Sequence, residues 1–419
     1  MALLDILNRS LKGRGRSYWF LREWFTVVYS SLARLPDRPA STRRKRILFY
    51  HINGLGYAGT EKFLQILARH LNKKKYAVYY MYPDTVHTDD KGLARLTYLL
   101  EGQVIPVPFD FKRIASAPPH FVSGMNPDIK KVIRGLSIDL LVTADSGNAN
   151  YPFSIVRNIP IILLNIFGQP NVQKNVAFHC CISEEVANKL PPIVPPEKVM
   201  VLPVPSERPV ISFEDAMLLR KRFGIKDTDI VFGRIGRPDD GIYDPIGIKA
   251  FQRIVASHPE AHYLIMAPMP VLERFVKDEE IPNVHFLSPS ADDKSVWAFH
   301  AAIDVLAHFR NDGESFGLNI VESMLAGNPV ITHRSHIWNA HLEYLDESFA
   351  RVADKDDVKQ YAQFLEEMIV LQKTGKLLSL QERAREKAES SFLIETLISV
   401  FEDLVEHSIT KHHKLHPHD

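Results

Sequence analysis

Two glutamates eight residues apart, Glu314 and Glu322, frame the stretch with the most chemistry in it, Asp312-Gly-Glu-Ser-Phe-Gly-Leu-Asn-Ile-Val-Glu-Ser-Met-Leu-Ala-Gly-Asn-Pro-Val-Ile. The spacing alone carries little, because a chain with 50 acidic residues contains such pairs by chance. The intervening residues give it meaning. Gly313 and Gly317 allow close backbone approach, and the amides from Phe316 through Leu318 to Asn319 would open a helix whose N-terminus can hold an anion such as phosphate. Ser315 lies within the same turn. Glu322 falls two turns into a helix made apolar by Leu318, Val321 and Leu325. A carboxylate buried there must accept hydrogen bonds, and a ribose diol is a suitable donor pair; an ion-paired core glutamate is the plainer alternative.

A second cluster, Gly233-Arg-Ile-Gly-Arg-Pro-Asp-Asp, sits at the end of an apolar run. Arg234 and Arg237 there could clamp a diphosphate and stabilise charge on a leaving group, or Arg237 could pair on the surface with Asp239 or Asp240. A third, Gly54-Leu-Gly-Tyr-Ala-Gly-Thr-Glu, fits G-x-G-x-x-G and raises a nicotinamide dehydrogenase as a rival. The acid expected about 20 residues further on to hold a ribose falls near Val78, and Asp84 is 25 residues beyond Gly59. Gly56, Gly59 and Thr60 therefore read as a phosphate or acceptor loop or as a tight turn, with His51 beside them. Asp354-Lys-Asp356 has D-x-D spacing but sits where a helix starts, so capping explains it and no essential metal is expected. His412, His413, His416 and His418 read as a solvated tail.

These residues need strands to carry them. Ile47 to Ile52, Ala77 to Met81, Val104 to Val107, Ile138 to Thr143, Pro160 to Ile166 and Cys180 to Ile182 are short apolar runs between helical patterns, the first helix running Thr60 to Asn72 with Thr60 as cap. Val199 to Val210 is extended and proline-punctuated, as an interdomain linker is. The alternation then restarts with Ile230 to Gly233, His262 to Met266, Val284 to Leu287, Val305 to Ala307, Pro329 to Thr332 and Ala350 to Val352. Helices Asp354 to Gln372, Leu377 to Glu389 and Ile394 to His407 close the chain. The expectation is an α/β protein with two Rossmann-like parallel sheets, ligands binding at the carboxyl ends of the strands. The boundaries read as a basic aromatic extension (1–44), a first domain (45–205), a second (206–390) and a closing helix with tail (391–419).

With 419 residues, 45% hydrophobic and 24% charged, the chain has the composition of a folded protein and room for two cores. Its two cysteines are adjacent, Cys180 and Cys181, which excludes a disulfide framework and suggests a reducing compartment. The net charge of +1 hides a balance of +8 over residues 1–46, leaving −7 for the rest. Within that basic segment, Ser17 to Leu32 is aromatic and apolar but interrupted by Arg22 and Glu23. It suits a helix lying on an anionic membrane, or a helix packed on its own domain, better than a bilayer span or a secretory signal. No nucleic-acid reader motif accompanies the charge.

The Glu314 segment resembles the signature of retaining glycosyltransferases of family 4, group 1 type, which have the two-Rossmann GT-B fold and an E-x7-E pattern inside E-[GS]-F-G-L followed by G-x-P-V. The resemblance runs over roughly residues 45–405 and includes Ile182-Ser-Glu-Glu-Val and Phe232-Gly-Arg-Ile-Gly-Arg. It implies a C-terminal helix returning toward the first domain. It further implies metal-independent transfer of a sugar from a nucleotide-diphosphate-sugar co-substrate to an acceptor hydroxyl, with no other cofactor. Glu314 would meet the donor sugar, Phe316 and Gly317 the sugar and phosphate through their amides, and Glu322 the ribose; Gly233 and Arg234 would lie at the diphosphate. The acceptor, a surface glycan or lipid-linked glycan, would lie on the first domain. The family's lysine about six residues after the arginine is replaced here by Asp240 or displaced by an insertion, and Arg237 stands as the substitute for it. Its cleft histidine is missing from Asp139-Leu-Leu-Val-Thr-Ala-Asp-Ser-Gly-Asn, where Asp145 or Asn148 falls nearby. An inactive sugar-nucleotide-binding module remains the other reading, and the implied location is cytoplasmic or on the inner membrane face.

Overall fold

A computed structural model describes residues 44–51, 59–84, 104–108, 128–145, 156–290 and 292–415. Two compact units divide the chain, one of Met1–Leu202 with Ile398–Asp419 and the other of Pro203–Leu397. The extension 1–43, the glycines at 54 and 56, Asn148, His416 and His418 lie outside the described residues.

The first unit holds β1 (Lys45–Tyr50), β2 (Tyr76–Asp84), β3 (Val104–Pro108), β4 (Leu140–Asp145), β5 (Ile161–Asn165), β6 (Val176–Cys181) and β7 (Val199–Val201). They form one parallel sheet in the order β3-β2-β1-β4-β5-β6-β7. Every residue of β5 is buried, as expected for a strand covered on both faces. On one side Leu48, Tyr50, Met81, Leu141 and Leu163 pack against Ile129 and Ile133 of the Asp128–Gly135 helix. The long final helix, Ile394–Leu415, is tied to the same unit. Glu406 pairs with Lys45 and accepts from the Tyr76 hydroxyl at 2.7 Å, and Glu402 accepts from the Asn72 amide at 2.8 Å.

In the second unit β8 (Ile230–Ile235), β9 (Ala261–Met266), β10 (Val284–Leu287), β11 (Val305–Ala307), β13 (Val330–His333) and β15 (Ala350–Ala353) make a parallel sheet. Its order is β10-β9-β8-β11-β13-β15, and β12 (Gly313–Glu314) pairs separately with β14 (Trp338–Asn339). Both large sheets reverse direction of growth in the same way, between β1 and β4 and between β8 and β11. In open α/β sheets, the crevice at such a switch point is where ligands bind.

Several expectations need correction. The first helix starts at Gly59, so Thr60 lies inside its first turn instead of capping it. The stretch read as linker begins with β7, because Val199 to Val201 add an edge strand beside β6. Asp357, through its side chain and the Gln360 amide at 2.9 Å, caps the helix Val358–Lys373; Asp354 and Asp356 do not. The last helix continues to Leu415, and His412 reaches the Asn158 carbonyl oxygen at 3.2 Å, which removes it from a solvated tail. Among the described residues no group of three or more His, Cys, Asp or Glu is arranged to hold a metal, and no helix is long and apolar enough to cross a membrane. Cys180 and Cys181 are both free and buried.

Candidate functional site at the second switch point

The carboxyl ends of β8 and β11, adjacent at the switch, deliver the two clusters found in the sequence to one place. Arg234 ends up inside the sheet's end, with none of its surface exposed. Its guanidinium carbon lies 5.0 Å over the Phe309 ring, and Nε donates weakly to the Phe309 carbonyl at 3.4 Å. Nη1 has no partner, an expensive state for a buried cation. Burial lowers the Arg234 pKa to about 10, leaving it charged at neutral pH. Gly236 makes room for it: a Cβ there would meet Nη2 at 3.1 Å.

Beyond β11 the chain runs His308, Phe309, Arg310 and on to Glu314, and a network fixes each side chain. Arg310 pairs with both Asp312 oxygens, one of them at 2.8 Å, and its Nη1 reaches both Glu314 oxygens at 3.4 Å. Its backbone amide donates to His333 Nε2 at 3.2 Å, while His333 Nδ1 faces the Arg334 carbonyl oxygen at 2.9 Å. His333 is therefore assigned as the neutral Nδ1–H tautomer. His308 Nε2 lies 3.4 Å from Glu314 Oε1, off the line of a hydrogen bond, so the contact is electrostatic. Burial would raise the Glu314 carboxyl. The approach of His308 and the charge of Arg310 overcome it, holding the group down at about 2. Burial works against the charge of Arg310 as well, yet Asp312 and Glu314 raise its pKa above the ordinary value. His308 and His341, both buried, are pushed down, His341 to about 3.

The turn after Glu314 depends on glycine. Gly313 has φ +68°, and a Cβ there would fall 1.8 Å from the Trp338 carbonyl oxygen, inside the β12–β14 pairing. Gly317 is left-handed at φ 90°, ψ 59°, and starts the helix Leu318–Leu325 with no side chain capping it. The Ile320 amide donates to the Gly317 carbonyl at 2.9 Å, which leaves the first-turn amides of Leu318 and Asn319 without an internal acceptor, the arrangement that suits an anion. Asn319 ties this helix to β8 by donating from Nδ2 to the Ile235 carbonyl at 2.9 Å. The Tyr344 hydroxyl donates to the Phe316 carbonyl at 2.7 Å and lies 3.3 Å from that of Gly317.

The sequence-derived residues divide accordingly. Arg234, Glu314, Ser315, Phe316, Gly317, Leu318 and Glu322 lie on the strand end, turn and helix that Asn319 joins. Glu322 is 7% exposed, on the helix's second turn. The Phe316 ring packs between Tyr344 and Phe392, so only its backbone is left for a ligand. Gly233 is enclosed by Ile303, whose side chain fills the space a Cβ would need at 2.5 Å. Its local role is packing. Arg237 is exposed and forms none of the surface pairs considered for it: Asp239 accepts from the Gly241 amide at 2.9 Å, and Asp240 from the Val271 amide at 2.9 Å. In the first unit, His51 follows β1 and Asp145 ends β4, flanking that sheet's own switch point, with Gly59 and Thr60 opening the helix beyond. His51 is buried 3.5 Å from Glu61.

The side chains of His308, Arg310, Asn319, His341 and Tyr344 at this place are not among the sequence-derived candidates, which include Asn319 only through its amide. Only Arg310 left a signal, an arginine four residues before Glu314, and without the turn that spacing suggests nothing but a helical ion pair.

Residues 219–390 match the model of the family described as glycosyl transferases group 1. That match falls within the second unit, and the chain has the GT-B fold. Solved structures similar to the chain include Anabaena HepE in complex with UDP and glucose, 17% identical over 87% of this chain and 100% of that one, TM-score 0.67. A glycosyltransferase from Rickettsia africae is 11% identical over 88% and 99% of the two chains, TM-score 0.68. The pneumococcal O-GlcNAc transferase GtfA in complex with UDP and GlcNAc is 12% identical over 88% and 99%, TM-score 0.62. No curated protein matches the chain by sequence.

Proposed function

We propose that the protein transfers a sugar from a nucleoside diphosphate sugar to an acceptor hydroxyl with retention at the anomeric carbon, without an essential metal. The observation that carries this reading is the meeting, at the second switch point, of a buried arginine with an unpartnered nitrogen, an uncapped helix N-terminus and an ionised glutamate. The diphosphate suits the amides after Gly317 and the charge of Arg234, and Arg237 is free to close on it from the surface. Those groups would stabilise the negative charge that develops on the leaving phosphate. Glu314, kept ionised, accepts hydrogen bonds from donor sugar hydroxyls, and Glu322 from the ribose. No side chain is assigned as nucleophile.

The UDP complexes of HepE and GtfA support a uridine donor as the first to try. The match of residues 219–390 to glycosyl transferases group 1 weighs against a nicotinamide cofactor. The acceptor is proposed to bind the first unit near His51, Gly56, Gly59, Thr60 and Asp145. A lipid-linked or surface glycan, reached from the cytoplasmic face by an extension (1–44) resting on anionic lipid, fits the basic aromatic sequence of that segment. The test is diphosphate release from UDP-, GDP-, TDP- and ADP-sugars in the presence of an envelope glycolipid fraction, followed by the anomeric configuration of the product. Release with an α-product from an α-linked donor is expected. A β-product would overturn retention, and no release from any donor would favour the inactive binding module.

A further inference from the structure

Resting on that reading of the site, we infer that Tyr344 is a positioning residue for the donor diphosphate: its hydroxyl holds the Phe316–Gly317 turn so that the amides behind it face the β-phosphate.

The turn needs a restraint. Gly317 sits in a left-handed conformation that glycine adopts and leaves readily, and the helix it starts has no side-chain cap to fix the entry angle. The Tyr344 hydroxyl reaches both carbonyls of the turn, at 2.7 Å from Phe316 O and 3.3 Å from Gly317 O, and Gly317 O also accepts from the Ile320 and Val321 amides at 2.9 and 3.1 Å. Holding those two carbonyls fixes the adjoining peptide planes, and with them the direction of the Gly317 and Leu318 amides. The tyrosine is itself immobile. It is 8% exposed, and its ring packs edge-on to Phe392 at 5.0 Å and tilted against Phe316 at 5.8 Å. Phe392 is anchored in turn, its carbonyl accepting from the Ser206 amide at 2.8 Å. Burial also raises the phenol far above its ordinary pKa, so it remains a donor at every pH of interest. Space is tuned to the same contact, since a Cβ on residue 317 would lie 3.0 Å from the Tyr344 oxygen.

Tyr344→Phe isolates the claim, because the ring packing is kept and only the hydroxyl is lost. The full chain is titrated calorimetrically with UDP, GDP, TDP and ADP, and the diphosphate that binds is compared with its own monophosphate, in wild type and variant. The expected result is a roughly five- to ten-fold loss of diphosphate affinity, the scale of one hydrogen bond, with monophosphate affinity nearly unchanged. The ratio of the two affinities therefore falls. Gly317→Ala, which strains the same turn from the other side, should lower the ratio in the same direction. A ratio unchanged in Tyr344→Phe while the wild type binds a diphosphate overturns the inference and leaves the proposed function standing. Equal weakening of both ligands, or an unfolding temperature lowered by more than a few degrees without ligand, assigns the hydroxyl to the fold and also overturns it. No diphosphate binding by the wild type overturns the proposed function, and this inference with it.

Discussion

Each unit buries a glutamate beside a histidine near its switch point, and the two pairs behave oppositely. His51 Nδ1 lies 3.5 Å from Glu61, and His308 Nε2 lies 3.4 Å from Glu314, so the separations are nearly the same. Burial raises the Glu61 carboxyl above its ordinary value, whereas Glu314 is held at about 2. Burial lowers both imidazoles, His51 to about 4, yet His308 still helps to hold Glu314 down, whereas burial dominates at Glu61. Glu314 has in addition Arg310, a permanent cation oriented by Asp312 and aimed at it. Glu61 has no such partner among the described residues, and its Oε2 is buried without one. The buried Glu314 carboxylate is thus held ionised where the fold adds a cation that cannot itself neutralise.

The largest effect is expected from removing that cation. Arg310→Met should cost about 3 kcal/mol, since it strands a buried carboxylate, somewhat less than for a fully enclosed pair because both side chains keep slight exposure. Urea unfolding measures the loss, and carboxyl NMR titration should find Glu314 moved up toward the behaviour of Glu61. A variant as stable as wild type would show that Arg310 is not what separates the pairs.

Charge removal at the two glutamates should then have unequal cost. Glu314→Gln is expected to lose about 2 kcal/mol at neutral pH, while Glu61→Gln, which discards a charge that burial already disfavours, should change stability by less than about 1 kcal/mol or raise it. Their pH dependence has opposite sign. The Glu314 pKa is depressed in the fold, so its contribution is present above about 4.5, the value in the unfolded chain, and is lost as pH falls toward 2. The Glu61 pKa is raised, so its stabilising effect is complete below about 4.5 and is lost as pH rises through the folded value. Urea midpoints of both variants relative to wild type, from pH 3 to 7, should diverge in these directions; parallel curves would remove the distinction. The smallest effect is expected at Arg237, exposed and unpaired, where alanine should alter stability by less than about 0.5 kcal/mol while weakening diphosphate binding. A stability loss several times larger would mark it as structural.

Much of the scaffold was legible in the sequence because strands covered on both faces must be short apolar runs. Val284–Leu287 and Val305–Ala307 were read with their observed limits, and β1, β9 and β13 to within two residues at either end. What escaped has a common cause. β7, β12 and β14 are two or three residues long, and their existence depends on a neighbour that local pattern does not contain. The site divides the same way. Glu314, Gly317 and Glu322 stand in one contiguous segment, so the resemblance carried them, and Gly313 signalled its turn. His308, His341 and Tyr344 meet the turn through contacts across the β11 and β13 ends, and nothing in their spacing betrays them; Arg310, four residues before Glu314, suggests by spacing only a helical ion pair. Gly233 illustrates the converse: beside Arg234 its pattern invites a ligand, while in the fold the space a Cβ would need is filled by Ile303.

That the second switch point binds a nucleoside diphosphate is tested most directly by thermal unfolding of the full chain with UDP, GDP, TDP, ADP or NAD, each at millimolar concentration, beside Glu322→Ala. A ligand at 100 times its dissociation constant should stabilise the native state by about 2.7 kcal/mol. A raised unfolding temperature with one nucleoside diphosphate, absent in Glu322→Ala, is the expected result. A rise with NAD alone, or with none of the five, would contradict it.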